Sequence, residues 1–194
     1  MTGIALELAV SGELVDAAEK QYHFLPEDRD LLAQVGRDVE GAARQGARFW
    51  IRMDAGRGQA GAALTLGAGV DALQEEYGRT DRLLECYMAE VLADELMRSA
   101  CGRMNEWIWE HAGLRVARYR FFGEDPALLP EDMPAELARL GAEGIRCNRG
   151  FCLIPKKSLA MRLELSADPQ TACASVCSGC SRKDCPHRRG GNFP

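Results

Sequence analysis

The stretch Arg82–His111, RLLECYMAEVLADELMRSACGRMNEWIWEH, decides the architecture. Leu84, Met88, Val91, Asp94, Met97, Cys101, Met104, Ile108 and His111 recur at steps of three and four. That period puts them on one stripe of a long α-helix. Gly113 follows as the expected stop, since glycine adopts the left-handed cap conformation at little cost. An aspartate on an apolar stripe must be paired, hydrogen-bonded or functional. The expected partner of Asp94 is Arg98, one turn on. His111 is expected to bond the last helical carbonyls, and the Met and Trp side chains of the helix read as core.

Working outward, residues 6–23 read as a short amphipathic start, and a second helix is predicted over about 26–45, with Asp28 and Asp30 near its positive end. Ala47–Met53 alternates as a strand, with Phe49 and Ile51 on one face and Trp50 on the other. A glycine-rich turn over Gly56–Gly61 leads to a strand at Ala62–Leu66. Beyond the long helix, Leu114–Phe122 alternates as a strand. The stretch Gly123–Met133 carries two prolines and reads as loop, with a short helix after it through Leu140. Gly144–Leu153 and Ser158–Leu165 read as two more strands joined around Pro155. Strands and helices in mixed order, without regular β-α alternation, predict an α+β fold. The expectation is one curved domain over residues 1–166 with a mixed or antiparallel sheet and a long central helix, then a cysteine-rich metal-binding tail over 167–194.

The chain carries 24 basic and 29 acidic side chains, a formal net charge of -5. That balance argues against nucleic-acid binding, which depends on clustered Lys and Arg. Ala60–Val70 is too short to span a bilayer, and MTGIALELAV lacks the basic and apolar regions of a secretory signal. The expected location is the cytoplasm, with no membrane partner. The TLGAGV segment lacks the lysine and spacing of a phosphate loop.

Eight cysteines in a reducing compartment point to metal or redox chemistry rather than disulfides. Cys86, Cys101, Cys147 and Cys152 are dispersed through apolar sequence and read as small buried hydrophobes. Cys173, Cys177, Cys180 and Cys185 instead form C-x3-C-x2-C-x4-C within one short segment. Four thiolates so close can converge on one centre. The small residues between them let the backbone wrap it and donate N–H groups to sulfur. Thiolates select zinc or iron–sulfur clusters. Crowding into one loop that ends in Cys185-Pro186 favours an iron–sulfur cluster, whereas structural zinc usually joins two separate knuckles. Zinc and a metal-free redox tail remain the alternatives. Arg182, Lys183, His187, Arg188 and Arg189 surround the cysteines and suit either solvation or an acidic redox partner. The first three cysteines also match the spacing of radical S-adenosylmethionine enzymes, but no barrel follows them.

Several segments, in order, resemble the activation domain of vitamin-B12-dependent methionine synthase and its short stand-alone bacterial relatives. They are Thr65-Leu66-Gly67 with Val70-Asp71, the long helix with Leu83, Leu84 and Asp94, the segment Phe151–Leu159 (FCLIPKKSL), and the closing CSGCSRKDCPHRR. The resemblance implies a domain that binds S-adenosylmethionine and docks on a corrinoid-binding protein or cobalamin-dependent methyltransferase. It would support reductive methylation of an oxidised cobalt centre, with a tail cluster as electron source. By family position, Asp94, Arg118, Arg120, Phe122, Glu124 and Asp125 would contact S-adenosylmethionine, the carboxylates at its amino group and ribose and Phe122 stacked on adenine. The loop departs from the family in lacking its Pro-Gly pair and in carrying Phe122 at the tyrosine position. No catalytic residue is assigned. Two rivals stand beside this reading: an iron–sulfur electron-transfer protein that ignores S-adenosylmethionine, and a non-enzymatic interaction module built on structural zinc.

Overall fold

A computed structural model describes residues 2–54, 56–172 and 175–179. The chain runs β1 (Ile4–Ala5), α1 (Gly12–Tyr22), α2 (Arg29–Ala43), β2 (Arg48–Asp54), β3 (Gln59–Thr65), α3 (Ala68–Arg79) and α4 (Leu83–Ala112). It continues through β4 (Arg115–Phe121), α5 (Met133–Leu140), β5 (Arg146–Cys147), β6 (Leu153–Ile154), β7 (Ser158–Ser166) and α6 (Val176–Gly179). Five strands form an antiparallel sheet in the order β1-β2-β3-β7-β4, and β5 and β6 pair separately. The fold is α+β, as the mixed element order predicts.

The sheet has two different faces because successive side chains of a strand point opposite ways. Phe49 and Ile51 of β2, Ala62 and Leu64 of β3, and Met161 and Leu163 of β7 enter the main core with α1–α4. Trp50, Ala63 and Ala160 point to the other face and meet Met133, Leu137 and Leu140 of α5. The faces predicted for Phe49, Ile51 and Trp50 are those observed. Helix α4 lies in the main core against α1, α2, α3, β3 and β4, and Met88, Leu92, Leu96, Met104 and Ile108 are fully buried along it. At its end Gly113 is left-handed with φ 64, and its N–H bonds Trp109 O. His111 Nδ1 lies 2.9 Å from Trp107 O, the helical carbonyl contact expected of it.

Four local expectations need correction. Helix α3 occupies a region with no predicted helix, where the glycines of TLGAGV mask its start. Gly67 has φ +88, and a Cβ there would come 2.5 Å from Gly46 Cα. This glycine pair lets the β3–α3 turn lie against the end of α2. Gly144–Leu153 is a hairpin, not one strand, because Asn148 Oδ1 accepts the N–H groups of Gly150 and Cys152, each at 2.9 Å, and turns the chain. Trp109 is exposed, with the Arg115 guanidinium 4.6 Å from its ring centroid. Cys101 is buried as expected, but Cys86 and Cys147 are half-buried and Cys152 is exposed. Among the described residues no helix is long and apolar enough to cross a membrane.

Two leucines of one helix provide a check on this packing. Leu92 has no exposed surface, and Leu83 is 71% exposed. In urea unfolding, Leu92→Ala should cost about 2–5 kcal/mol, whereas Leu83→Ala should change stability by less than about 0.5 kcal/mol.

Candidate functional site

Three segments that are distant in sequence meet where β3 ends and β7 begins. The Ile154-Pro155 peptide is cis, and the turn after it carries Lys156 and Lys157 onto α3 and α4. Lys157 O accepts the N–H of Leu66 at 2.9 Å. Ser158 Oγ donates to Thr65 Oγ1 at 2.8 Å, and Gly67 N–H donates to the same oxygen at 3.0 Å. Asp71, in the first turn of α3, accepts the Lys156 N–H at 2.9 Å through Oδ2, while its buried Oδ1 has no hydrogen-bond partner among the described residues. The Lys157 side chain is only 8% exposed, and its Nζ donates to Glu90 Oε1 at 2.6 Å and Asp94 Oδ1 at 2.7 Å. Gln74 holds the other Glu90 oxygen.

One ammonium therefore ties two carboxylates, spaced one turn apart on α4, to the turn before β7. Burial raises the Glu90 pKa, but hydrogen bonds from Lys157 and Gln74 and the charges of Lys157 and Lys156 outweigh it, so the net shift is downward. The expected Asp94–Arg98 pair gives way here. Asp94 takes Lys157 from across the fold, and Arg98 pairs with Glu95 at 2.6 Å. Lys157, Glu90, Gln74 and Asp71 were absent from the sequence-derived site. Their signals were an acid pair at i, i+4 on α4 and two lysines after a proline.

The residues at the end of β4 lie elsewhere. Tyr119 and Phe121 join the main core, so strand alternation turns Arg118, Arg120 and Phe122 toward the opposite face. Phe122 packs against the α5-side cluster. Arg120 makes a two-pronged contact with Asp125, Nε to Oδ2 at 2.7 Å and Nη2 to Oδ1 at 2.9 Å. That hydrogen bond, followed by one from Ala127 N–H, brings Asp125 down to about 2. Arg118 and Glu124 are exposed. Asp94 is therefore separated from the other five by the sheet, and the six residues do not form one pocket. Arg120 and Asp125 are engaged with each other.

Of the four cysteines proposed as metal ligands, Cys177 lies on α6, and Cys173, Cys180 and Cys185 lie outside the described residues, as do the basic residues from Arg182 to Arg189. Val176 packs against the main core, and α6 lies along β4. The Arg98 side chain hydrogen-bonds Cys177. Such donors commonly support metal-bound thiolates, so this surrounding fits a thiolate centre. Cys101 is beside it, and burial, with a smaller contribution from Cys177, pushes its thiol up to about 12. Cys101 thus stays a neutral thiol at ordinary pH. Among the described residues no three His, Cys, Asp or Glu side chains are grouped to hold a metal ion.

No family model matches this chain, and no curated protein matches it.

The Lys157 cluster has a pH signature. With a lowered pKa in the fold, Glu90 stabilises it above the unfolded carboxylate range, near about 4.3, and that contribution disappears as pH falls through the folded value below it. Lys157→Met should cost about 1–3 kcal/mol in urea at neutral pH. It should also flatten the loss of stability that wild type shows on acidification from about pH 5 to 3.

Proposed function

We propose that this protein is a cytoplasmic accessory of corrinoid-dependent methyl transfer. It docks on a corrinoid-binding protein or cobalamin-dependent methyltransferase and supplies an electron from a metal centre on its tail. The observation that carries this is the segment Cys173, Cys177, Cys180 and Cys185, whose four thiols suit a compact iron–sulfur cluster. The corrinoid side of the reading is supported by the meeting of the three resembling segments at one place. Thr65 bonds Ser158, Asp71 bonds the Lys156 backbone, and Asp94 pairs with Lys157. In reductive methylation a cobalt(II) corrinoid gains one electron and the methyl cation of S-adenosylmethionine, leaving methylcobalt(III) and S-adenosylhomocysteine. This chain's part is docking and electron supply. Methyl donation by S-adenosylmethionine bound to this chain would draw on Asp94 without the β4 residues, since the sheet lies between them.

The packing of Val176 against the main core favours one second reading, a structural zinc site that fastens the tail to the domain.

Protein purified without oxygen should be brown, contain iron, lose its visible absorbance on reduction, and lose iron in Cys180→Ala. Mixed with cobalamin-dependent methionine synthase holding cobalt(II), the reduced protein should accelerate methylcobalt formation when S-adenosylmethionine is added. A colourless protein with one zinc per chain would replace the redox role by the structural one. An iron–sulfur protein that neither binds nor affects the synthase would be a general electron carrier.

A further inference from the structure

The β5–β6 hairpin combines a basic tip with one strained aromatic side chain. Its base is fixed: Arg146 pairs with Ile154 and Cys147 with Leu153, and Cys147 and Leu153 pack against the α5-side cluster. Its turn is fixed as well. Besides the two N–H groups held by Asn148 Oδ1, Asn148 N–H donates to Cys152 O at 3.0 Å, and Phe151 N–H donates to Asn148 O at 3.0 Å. Within this turn Phe151 has φ 59, in the left-handed region that a bulky side chain rarely adopts. Burial does not compensate, since Phe151 is 41% exposed. Glycine would hold this turn without strain, so neither packing nor backbone preference accounts for phenylalanine here. The charge is one-sided too. From Gly144 to Lys157 the chain carries Arg146, Arg149, Lys156 and Lys157 and no acidic residue, in a protein of net charge -5. Lys157 has Glu90 and Asp94 as partners. Arg146, Arg149 and Lys156 are exposed, and neither arginine has an ion-pair partner among the described residues.

We propose that this hairpin is a docking surface for an acidic protein, with Phe151 entering an apolar pocket and Arg146, Arg149 and Lys156 meeting carboxylates at its rim. This rests on the docking part of the proposed function and deepens it by naming the face that meets the partner. Interfaces concentrate their energy in a few aromatic and Arg side chains, while rim charges steer the encounter. A turn already held by Asn148 loses little freedom on docking. Backbone strain of this kind clusters at functional sites, where surrounding bonds hold it in place. Basic clusters that bind lipid carry about 4–8 Lys or Arg, more than this tip has. Nucleic acid would call for a wider basic surface.

Full-length wild type, Phe151→Gly and the double variant Arg146→Gln/Arg149→Gln are compared by thermal unfolding. Their binding to cobalamin-dependent methionine synthase is measured by calorimetry at low and high salt. Phe151→Gly should be as stable as wild type, because relief of the left-handed strain offsets the greater freedom of its unfolded chain. It should bind the synthase roughly 10–30-fold more weakly. The double variant should keep its stability, bind more weakly at low salt and show a flatter salt dependence. Wild-type binding that both variants match would overturn the role of the hairpin while leaving the docking reading standing. Weaker binding by Phe151→Gly in step with lost stability would make the ring structural and overturn its docking role. Wild type that does not bind the synthase would overturn the docking reading and this inference together. Wild type that instead binds phosphatidylserine vesicles, with binding lost in both variants, would assign the hairpin to a membrane and overturn protein docking.

Discussion

The burial of α4 is the constraint on which the rest depends. A helix of 30 residues enclosed by α1, α2, α3 and the sheet cannot rotate or slide without exposing Met88, Leu92, Leu96 and Met104. Apolar burial is worth roughly 25 cal/mol per Å2, so even a partial rotation would be expensive. The helix is therefore a rigid rod with side chains at fixed heights. Glu90 and Asp94 meet the turn before β7, while Arg98 and Cys101 lie near Cys177 of the tail. At about 1.5 Å of rise per residue, Glu90 and Cys101 are about 16 Å apart along the axis. One packed element thus positions both chemically distinctive regions.

Charge burial follows the same logic. Lys157 is enclosed with two carboxylates, Glu95 with Arg98, and Glu136 with Arg139 and Arg162. Each arrangement satisfies the rule that a charge removed from water needs a partner. The Glu136 contacts have a further steric condition. Gly61 of β3 lies beneath them, and a Cβ there would collide with the Glu136 carboxylate. A glycine in the middle of a strand here marks a close approach from the covering helix.

The second face of the sheet explains why the expected ligand residues part company. Residues close in sequence need not share a face, because successive side chains of a strand point to opposite sides of the sheet. Once Tyr119 enters the main core, Arg118 and Arg120 turn to the other face of the sheet, away from α4. The two-pronged Arg120–Asp125 contact then ties the β4 turn to its own strand. Asp94 answers to Lys157 at the other side of the sheet.

Local periodicity was enough to read α4, its Gly113 stop, the His111 contact and the two faces of β2, since each depends on neighbours within a turn or a strand. The cysteine spacing is likewise a property of the chain alone. Helix α3 was hidden because Gly67 and Gly46 owe their presence to a backbone approach between distant segments, which no local pattern displays. The partner of Asp94 was misread for the same reason. Helical spacing permits Arg98, but the tertiary fold delivers Lys157, whose single ammonium satisfies Glu90 as well. Sequence by itself determined which side chains are available and which local elements carry them. Tertiary structure decided the contacts of Lys157, Arg98 and Cys177, because ion pairs and sulfur contacts between distant segments depend on how helices and sheet bury their apolar faces together.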